Sequence, residues 1–173
     1  YIDNLALRGN SGMALTRIST EMLRQANKLR PWHLIVLQFG LNVVSEKDSS
    51  DYGYYVFGMS RVIEHLKRAM PEASILLIGV SDRSQNENGN FKTMPAVLRM
   101  RMAQRRIASK NGIAFWDLFS AMGGENSMVN FVNQQPPLAG KDHTHLNFRG
   151  GSKMAGKLAK ALLLEQKRYE TSV

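Results

Sequence analysis

The 173-residue sequence contains no cysteine. That excludes a disulfide framework, a thiolate metal site and a thiol nucleophile. It leaves the redox compartment open, because many exported proteins also do without cysteine. No apolar run approaches the ~20 residues that a membrane-spanning helix needs. The 5 prolines and 14 glycines follow no period, and with 43% hydrophobic residues this excludes collagen and extended disorder. Acidic residues are scarce: 14 Asp and Glu face 23 Lys and Arg, for a formal charge of +9. The basic residues gather at Arg99, Arg101, Arg105, Arg106 and Lys110, and again at Lys153, Lys157, Lys160, Lys167 and Arg168. Both clusters fall on helical stretches that also carry an apolar stripe, and neither has the interleaved aromatics of a single-strand binding surface. Zinc-finger, RNA-binding and phosphate-loop signatures are missing. The basic faces therefore read as solvated helix surface, and no nucleic-acid partner is expected.

What is present is an alternation of short apolar runs with helical periods. His33 to Phe39 reads as a buried strand closed by Gly40, and Ser74 to Val80 as a second. Between them, Asp51 to Met70 spells a helix with Met59, Val62, Ile63 and Leu66 on one face and Pro71 as its stop. Ser81 to Asn90, which includes Asn88-Gly89, reads as a loop. Met94 to Lys110 reads as a helix that begins near Pro95 and is capped at Asn111-Gly112. Ile113 to Asp117 follows as a third strand, and then a long loop holds Gly123-Gly124 and Pro136-Pro137. The last helix is expected from about Gly150 to Arg168, with Met154, Leu158, Ala161 and Leu162 facing inward. Upstream, Ala14 to Leu29 reads as a helix and Asp3 to Leu7 as a short strand. Alternating strands and helices predict an α/β fold: a three-layer sandwich around a mostly parallel sheet, in a single domain over residues 1–173. Such sheets place their chemistry at the carboxyl ends of the strands.

Three segments at such positions carry polar chemistry. Asp142-His143-Thr144-His145 sits in a polar stretch before the last helix. A carboxylate three residues ahead of an imidazole can accept the Nδ1 hydrogen and leave Nε2 free to take a proton from a hydroxyl. The same spacing also suits a turn capped by Asp142 with both histidines in solvent. A metal site at His143 and His145 fits poorly, since alternate loop residues rarely converge on one ion. Gly40-Leu41-Asn42 follows the first clear strand, where Gly40 allows a sharp turn and Asn42 can either offer its amide to a developing oxyanion or close the turn. Arg8-Gly9-Asn10-Ser11-Gly12 precedes a helix, and a glycine there frees a backbone N–H for a negative oxygen. His33 and His65 read as a junction residue and a solvated helix residue.

In this order, the three segments resemble the SGNH (GDSL-type) hydrolases. Asn4 to Gly9 is similar to the family's second block, Gly40-Leu41-Asn42 to its third, and Asp142-x-x-His145 with the following Leu-Asn-x-x-Gly to its fifth. The third block departs from the family at Val43, where Asp is usual. The resemblance implies a flavodoxin-like sheet and a serine ester hydrolase with no metal or organic cofactor. His145 would be the general base, Asp142 its orienting carboxylate, and the Gly9 N–H and Asn42 the oxyanion donors. The family's first block, Gly-Asp-Ser, occurs nowhere in the sequence. Relatives with a module inserted between the first and second blocks, peptidoglycan O-acetylesterases among them, suggest where it lies. The chain opens at Tyr1 amid apparent structure, without an initiator Met or signal peptide. The expectation is therefore that the nucleophile and the first strand belong to an upstream segment that partners this chain, and that the chain alone is inactive. Ser11 is the lesser candidate for nucleophile. The implied substrate is an O-acetylated carbohydrate and the implied setting is bacterial, periplasmic or secreted. The alternative is a non-catalytic glycan-binding or structural relic that keeps the fold without the serine.

Overall fold

The computed structural model describes residues 1–172. In chain order its elements are a 3₁₀ turn (Met13–Arg17), α1 (Thr20–Leu29), β1 (Leu34–Leu37), α2 (Gly53–Ala69), β2 (Ser74–Ile78), β3 (Ser84–Glu87), β4 (Asn90–Thr93), α3 (Pro95–Asn111), β5 (Ala114–Trp116), α4 (Leu118–Met122), α5 (Ser127–Asn133) and α6 (Phe148–Ser172). The class is α/β, a parallel sheet whose strands alternate with helices along the chain, as the sequence predicts. Two compact units divide the chain: residues 1–80 with 95–116, and residues 81–94 with 117 onward.

The first unit contains the sheet, in the order β1-β2-β5, with both pairings parallel. Register runs from Leu34 opposite Ser74 to Leu37 opposite Leu77, and from Leu76 opposite Ala114 to Ile78 opposite Trp116. The central strand β2 is buried at every position from Ile75 to Ile78, which is why its sequence is apolar throughout and does not alternate. β1 lies at the edge. Leu37 is buried there, but Leu34 and Val36 remain 44% and 46% exposed. Beside them runs an apolar groove of about 610 Å³ whose walls include Leu5, Leu7, Leu34, Val36 and Phe39.

Three expectations for this unit are corrected. Asp3 to Leu7 forms no strand and pairs with no strand of the sheet. The segment is tied instead through Asp3, which accepts a hydrogen bond from Trp32 Nε1 at 2.7 Å and pairs with Arg30 at 3.0 Å. The helix expected over Ala14 to Leu29 is broken after Arg17, and α1 restarts with Ser19 as its N-cap, accepting from Met22 N at 3.4 Å. His65 of α2 holds that break: Nε2 donates to Ile18 O at 2.9 Å and Nδ1 lies 3.4 Å from the Thr20 hydroxyl, so it is buried and not solvated as expected.

The deepest polar contact of this unit comes from Gln104, a fully buried residue of α3. Its Oε1 accepts from Val80 N at 2.7 Å and its Nε2 donates to Phe39 O at 2.8 Å. One carboxamide thus joins the backbone just past β2 to the backbone just past β1.

In the second unit, β3 and β4 form an antiparallel hairpin where a loop was expected. Asn88 (φ 53) and Gly89 (φ 88) are both left-handed, as a two-residue hairpin turn requires. The strands went unread because Ser-Gln-Asn-Glu and Asn-Phe-Lys-Thr have no apolar alternation. The long loop after β5 contains α4 and α5, which at 5 and 7 residues are too short to display a helical period. Asp117 caps α4 by accepting from Ser120 N at 3.1 Å. Asp82 ties the hairpin to α5: this buried carboxylate accepts from Thr93 Oγ1 at 2.8 Å and from Met128 N at 2.8 Å. Burial raises its pKa above 3.8 against the pull of those hydrogen bonds.

Helix α6 is longer than expected at both ends. Met154 is buried and Leu158 and Ala161 are half-buried, but Leu162 is exposed, so the inward stripe is progressively uncovered along the helix. Its start is set by Asn147, which caps Gly150 N at 3.0 Å, and by Gly150 itself. A β-carbon on Gly150 would sit 2.0 Å from Leu138 O, so no other residue fits there.

Replacing Gln104 by Leu keeps the volume and strips the Val80 N–H and Phe39 C=O of their partner. The expected loss is about 1–3 kcal/mol for the buried Val80 amide alone, read as a lowered urea midpoint with an unchanged slope.

Candidate active site

The segment from Leu138 to Asn147 folds on itself before α6 begins. Ala139 and Leu146 form an antiparallel bridge, Gly140 N donates to His145 O at 2.8 Å, and Asn147 N donates to Leu138 O at 3.0 Å. Residues 141–144 form the turn this bridge closes. Within it Asp142 accepts three hydrogen bonds: Oδ1 from Thr144 N at 3.0 Å and His145 N at 3.1 Å, and Oδ2 from His145 Nδ1 at 2.6 Å. Burial by itself would raise the Asp142 carboxyl, but the bonds from the His145 side chain and from the His145 and Thr144 amides outweigh it and bring the pKa down from 3.8 to about 2. The group is therefore ionised near neutrality and accepts, so Nδ1 carries a hydrogen, and in the neutral ring the lone pair then lies on Nε2. Turn-capping and ring-orienting, the two readings open from sequence, are both done by this one carboxylate. His145 is 74% exposed and reachable by a substrate. His143, in contrast, is buried. Among the described residues no group of three or more His, Asp or Glu could hold a metal ion.

In the first unit, Gly40 has φ 111 and would press a β-carbon to 2.8 Å from Gln104 Nε2, so glycine is required by conformation and by space. The short 3₁₀ turn Leu41–Val43 follows and leaves Asn42 exposed. Asn42 Nδ2 reaches Asn10 O at 3.5 Å, a long hydrogen bond that brings it to the turn containing Gly9. Gly9 is left-handed at φ 65, and Asn10 Oδ1 accepts from Gly12 N at 2.8 Å to shape the same turn. The structure thus joins the two candidate oxyanion segments, 32 residues apart in sequence. Ser11 is half-buried, with its Oγ accepting from Met13 N at 3.3 Å in the manner of a turn residue. His33 is exposed and lends its carbonyl to Ser74 N at the start of β2.

Sequence reasoning passed over Gln104 and Asp82. The sign of Gln104 was present: it occupies the apolar stripe of α3 with Met100 and Ile107, where a polar side chain must have a buried partner. Asp82 carried no such sign, since it lies in a run of polar residues.

No protein-family model matches the chain, and no curated protein sequence matches it. Solved structures do. A peptidoglycan O-acetylesterase superposes with a TM-score of 0.77 at 26% identity, over 91% of this chain and 45% of its own length. An acetyl xylan esterase gives 0.62 at 21% identity, covering 90% of this chain and 77% of its own. A GDSL-like lipase from Bacteroides thetaiotaomicron gives 0.59 at 22%, covering 91% and 73%. The chain shares the fold of these proteins, and its three sequence blocks resemble those of the SGNH (GDSL-type) hydrolases. It spans less than half the length of the peptidoglycan O-acetylesterase.

The depressed Asp142 carboxyl has a pH consequence with a definite sign. Whatever order it lends the turn is fully present above 3.8 and is lost as pH falls through about 2. Acid titration followed by NMR should therefore show the His145 and Thr144 amide resonances shifting together as pH falls through about 2, whereas Asp142→Asn should show no such step.

Proposed function

We propose that this chain supplies most of the active site of a serine ester hydrolase that removes O-acetyl groups from carbohydrate. The observation that carries the reading is the 2.6 Å Asp142–His145 contact within an SGNH fold. In the reaction, a serine hydroxyl attacks the ester carbonyl carbon while His145 Nε2 takes its proton. Asp142 holds the ring in the tautomer that can accept that proton and stabilises the cation that forms. The Gly9 N–H and Asn42 Nδ2 donate to the oxyanion of the tetrahedral intermediate. Collapse returns the proton from His145 to the departing sugar oxygen and leaves an acetyl-serine. Water then repeats the sequence, acetate leaves, and the serine regains its hydrogen. No metal or organic cofactor takes part.

The serine is proposed to lie on a Gly-Asp-Ser segment upstream of Tyr1, because residues 1–173 contain no such triplet. The apolar groove along the edge of β1, with Leu34 and Val36 exposed to it, supports this: it suits one more parallel strand carrying that segment. Acetyl esters of glycans are favoured as substrate by the peptidoglycan O-acetylesterase and acetyl xylan esterase likenesses and by the +9 charge, which attracts anionic polymers. Cell-wall glycan is placed before xylan, and a periplasmic or secreted setting goes with it. Among the described residues no helix is long and apolar enough to cross a membrane.

Acetate release from O-acetylated peptidoglycan and from p-nitrophenyl acetate tests the reading. The chain alone should turn over little, and the chain joined to a Gly-Asp-Ser segment should be active. In the active protein, His145→Ala should remove most turnover. Asn42→Ala should lower kcat roughly 10²- to 10³-fold, the usual loss for one oxyanion donor. Strong activity of the chain alone, abolished by Ser11→Ala, would make Ser11 the nucleophile. A preference for acyl chains of about eight carbons or more would overturn the acetyl assignment.

A further inference from the structure

Residue 143 is the least comfortable position in the candidate site. It has φ 53, a left-handed conformation that side-chain-bearing residues rarely adopt. Such a conformation persists where its surroundings over-determine it. The surroundings here are the β3–β4 hairpin, which holds residue 143 twice. From β3, Ser84 N donates to His143 O at 3.0 Å. From β4, the Phe91 ring lies flat on the imidazole, with centroids 3.6 Å apart and planes 2° from parallel. His143 is 7% exposed, although the side chains of Asp142 and His145 on either side are more than half exposed. Its Nδ1 is enclosed without a hydrogen-bond partner among the described residues, so stacking, and not a bond at that nitrogen, holds the ring. The hairpin is itself anchored through Thr93, whose hydroxyl donates to Asp82 at 2.8 Å.

The position of residue 143 in the chain gives the stack its leverage. All three hydrogen bonds that Asp142 accepts, from Thr144 N, His145 N and His145 Nδ1, close across the φ and ψ of residue 143. Rotation at that residue would break them together. We propose that Phe91 and His143 are positioning residues: their stacked rings hold the strained turn in the one conformation that aims Asp142 at His145 Nδ1. That the pair then works as orienting carboxylate and base rests on the function proposed above; the positioning itself does not.

The test therefore reads the pair directly, in the chain as it stands and without substrate, by ¹³C NMR titration of the Asp142 carboxyl. In the wild type it titrates at about 2. Phe91→Ala should raise it clearly towards 3.8, as the three bonds loosen, while Phe91→Tyr, which keeps a stackable ring, should leave it at about 2. A folded Phe91→Ala with Asp142 still at about 2 overturns the proposal. Should Phe91→Ala not fold, His143→Gly decides: glycine is at ease at this φ but has no ring, so a rise supports the stack as the holding element and an unchanged value overturns it. In the active esterase, Phe91→Ala should cut kcat about tenfold with KM unchanged, and Phe91→Tyr should restore it. If the carboxyl responds as expected but the complete wild-type protein releases no acetate, the esterase reading falls and the positioning stands. If acetate is released but the carboxyl is indifferent to Phe91, the positioning alone falls.

Discussion

The first unit depends on one buried carboxamide. Parallel strands end in backbone groups that the ladder no longer pairs, and at the carboxyl ends of β1 and β2 those groups face an interior where water cannot serve them. Gln104 answers both, with its oxygen to Val80 N and its nitrogen to Phe39 O. The next residue after Phe39 is Gly40, whose missing side chain makes room for that same amide. The turn that presents Asn42 is thus cut to the shape of Gln104, and a helix side chain remote in sequence governs the geometry of a candidate oxyanion donor.

The second unit solves a different problem. A carboxylate and an imidazole in a mostly exposed turn gain little from Coulomb attraction alone, because water screens them. Precision there comes from closing the turn with many short-range bonds: the Ala139–Leu146 bridge at its base, the Asn147 cap at its exit, and Asp142 accepting from both amides that follow residue 143. Gly150 lets the first turn of α6 come against Leu138 and so keeps the exit of the loop near its entrance.

Much of this was legible from the sequence, and what was not has physical causes. β1, β2, α2 and α3 were readable because apolar runs and 3.6-residue stripes record burial, and burial is what those elements experience. Asp142 and His145 were readable because the partners are three residues apart, so local geometry suffices to join them. The β3–β4 hairpin was missed since polar strands leave no alternation, although Asn88-Gly89 was the mark of its turn. α4 and α5 were too short to show a period. The Phe91–His143 stack and the Gln104 bridge join residues far apart in the chain, and a single sequence holds no record of such pairings.

The edge of β1 also bears on how the protein behaves in bulk solution. Where no upstream strand covers it, a ladder flanked by Leu34 and Val36 is a template on which another extended chain can add. Two things oppose that: the strand is only 4 residues long, and each molecule carries +9. The first is permanent and the second is not, since mobile ions shorten the reach of charge to about 8 Å at physiological strength. Colloidal stability at this edge is therefore a property of the medium as much as of the fold, greatest in dilute buffer and weakest where salt is high.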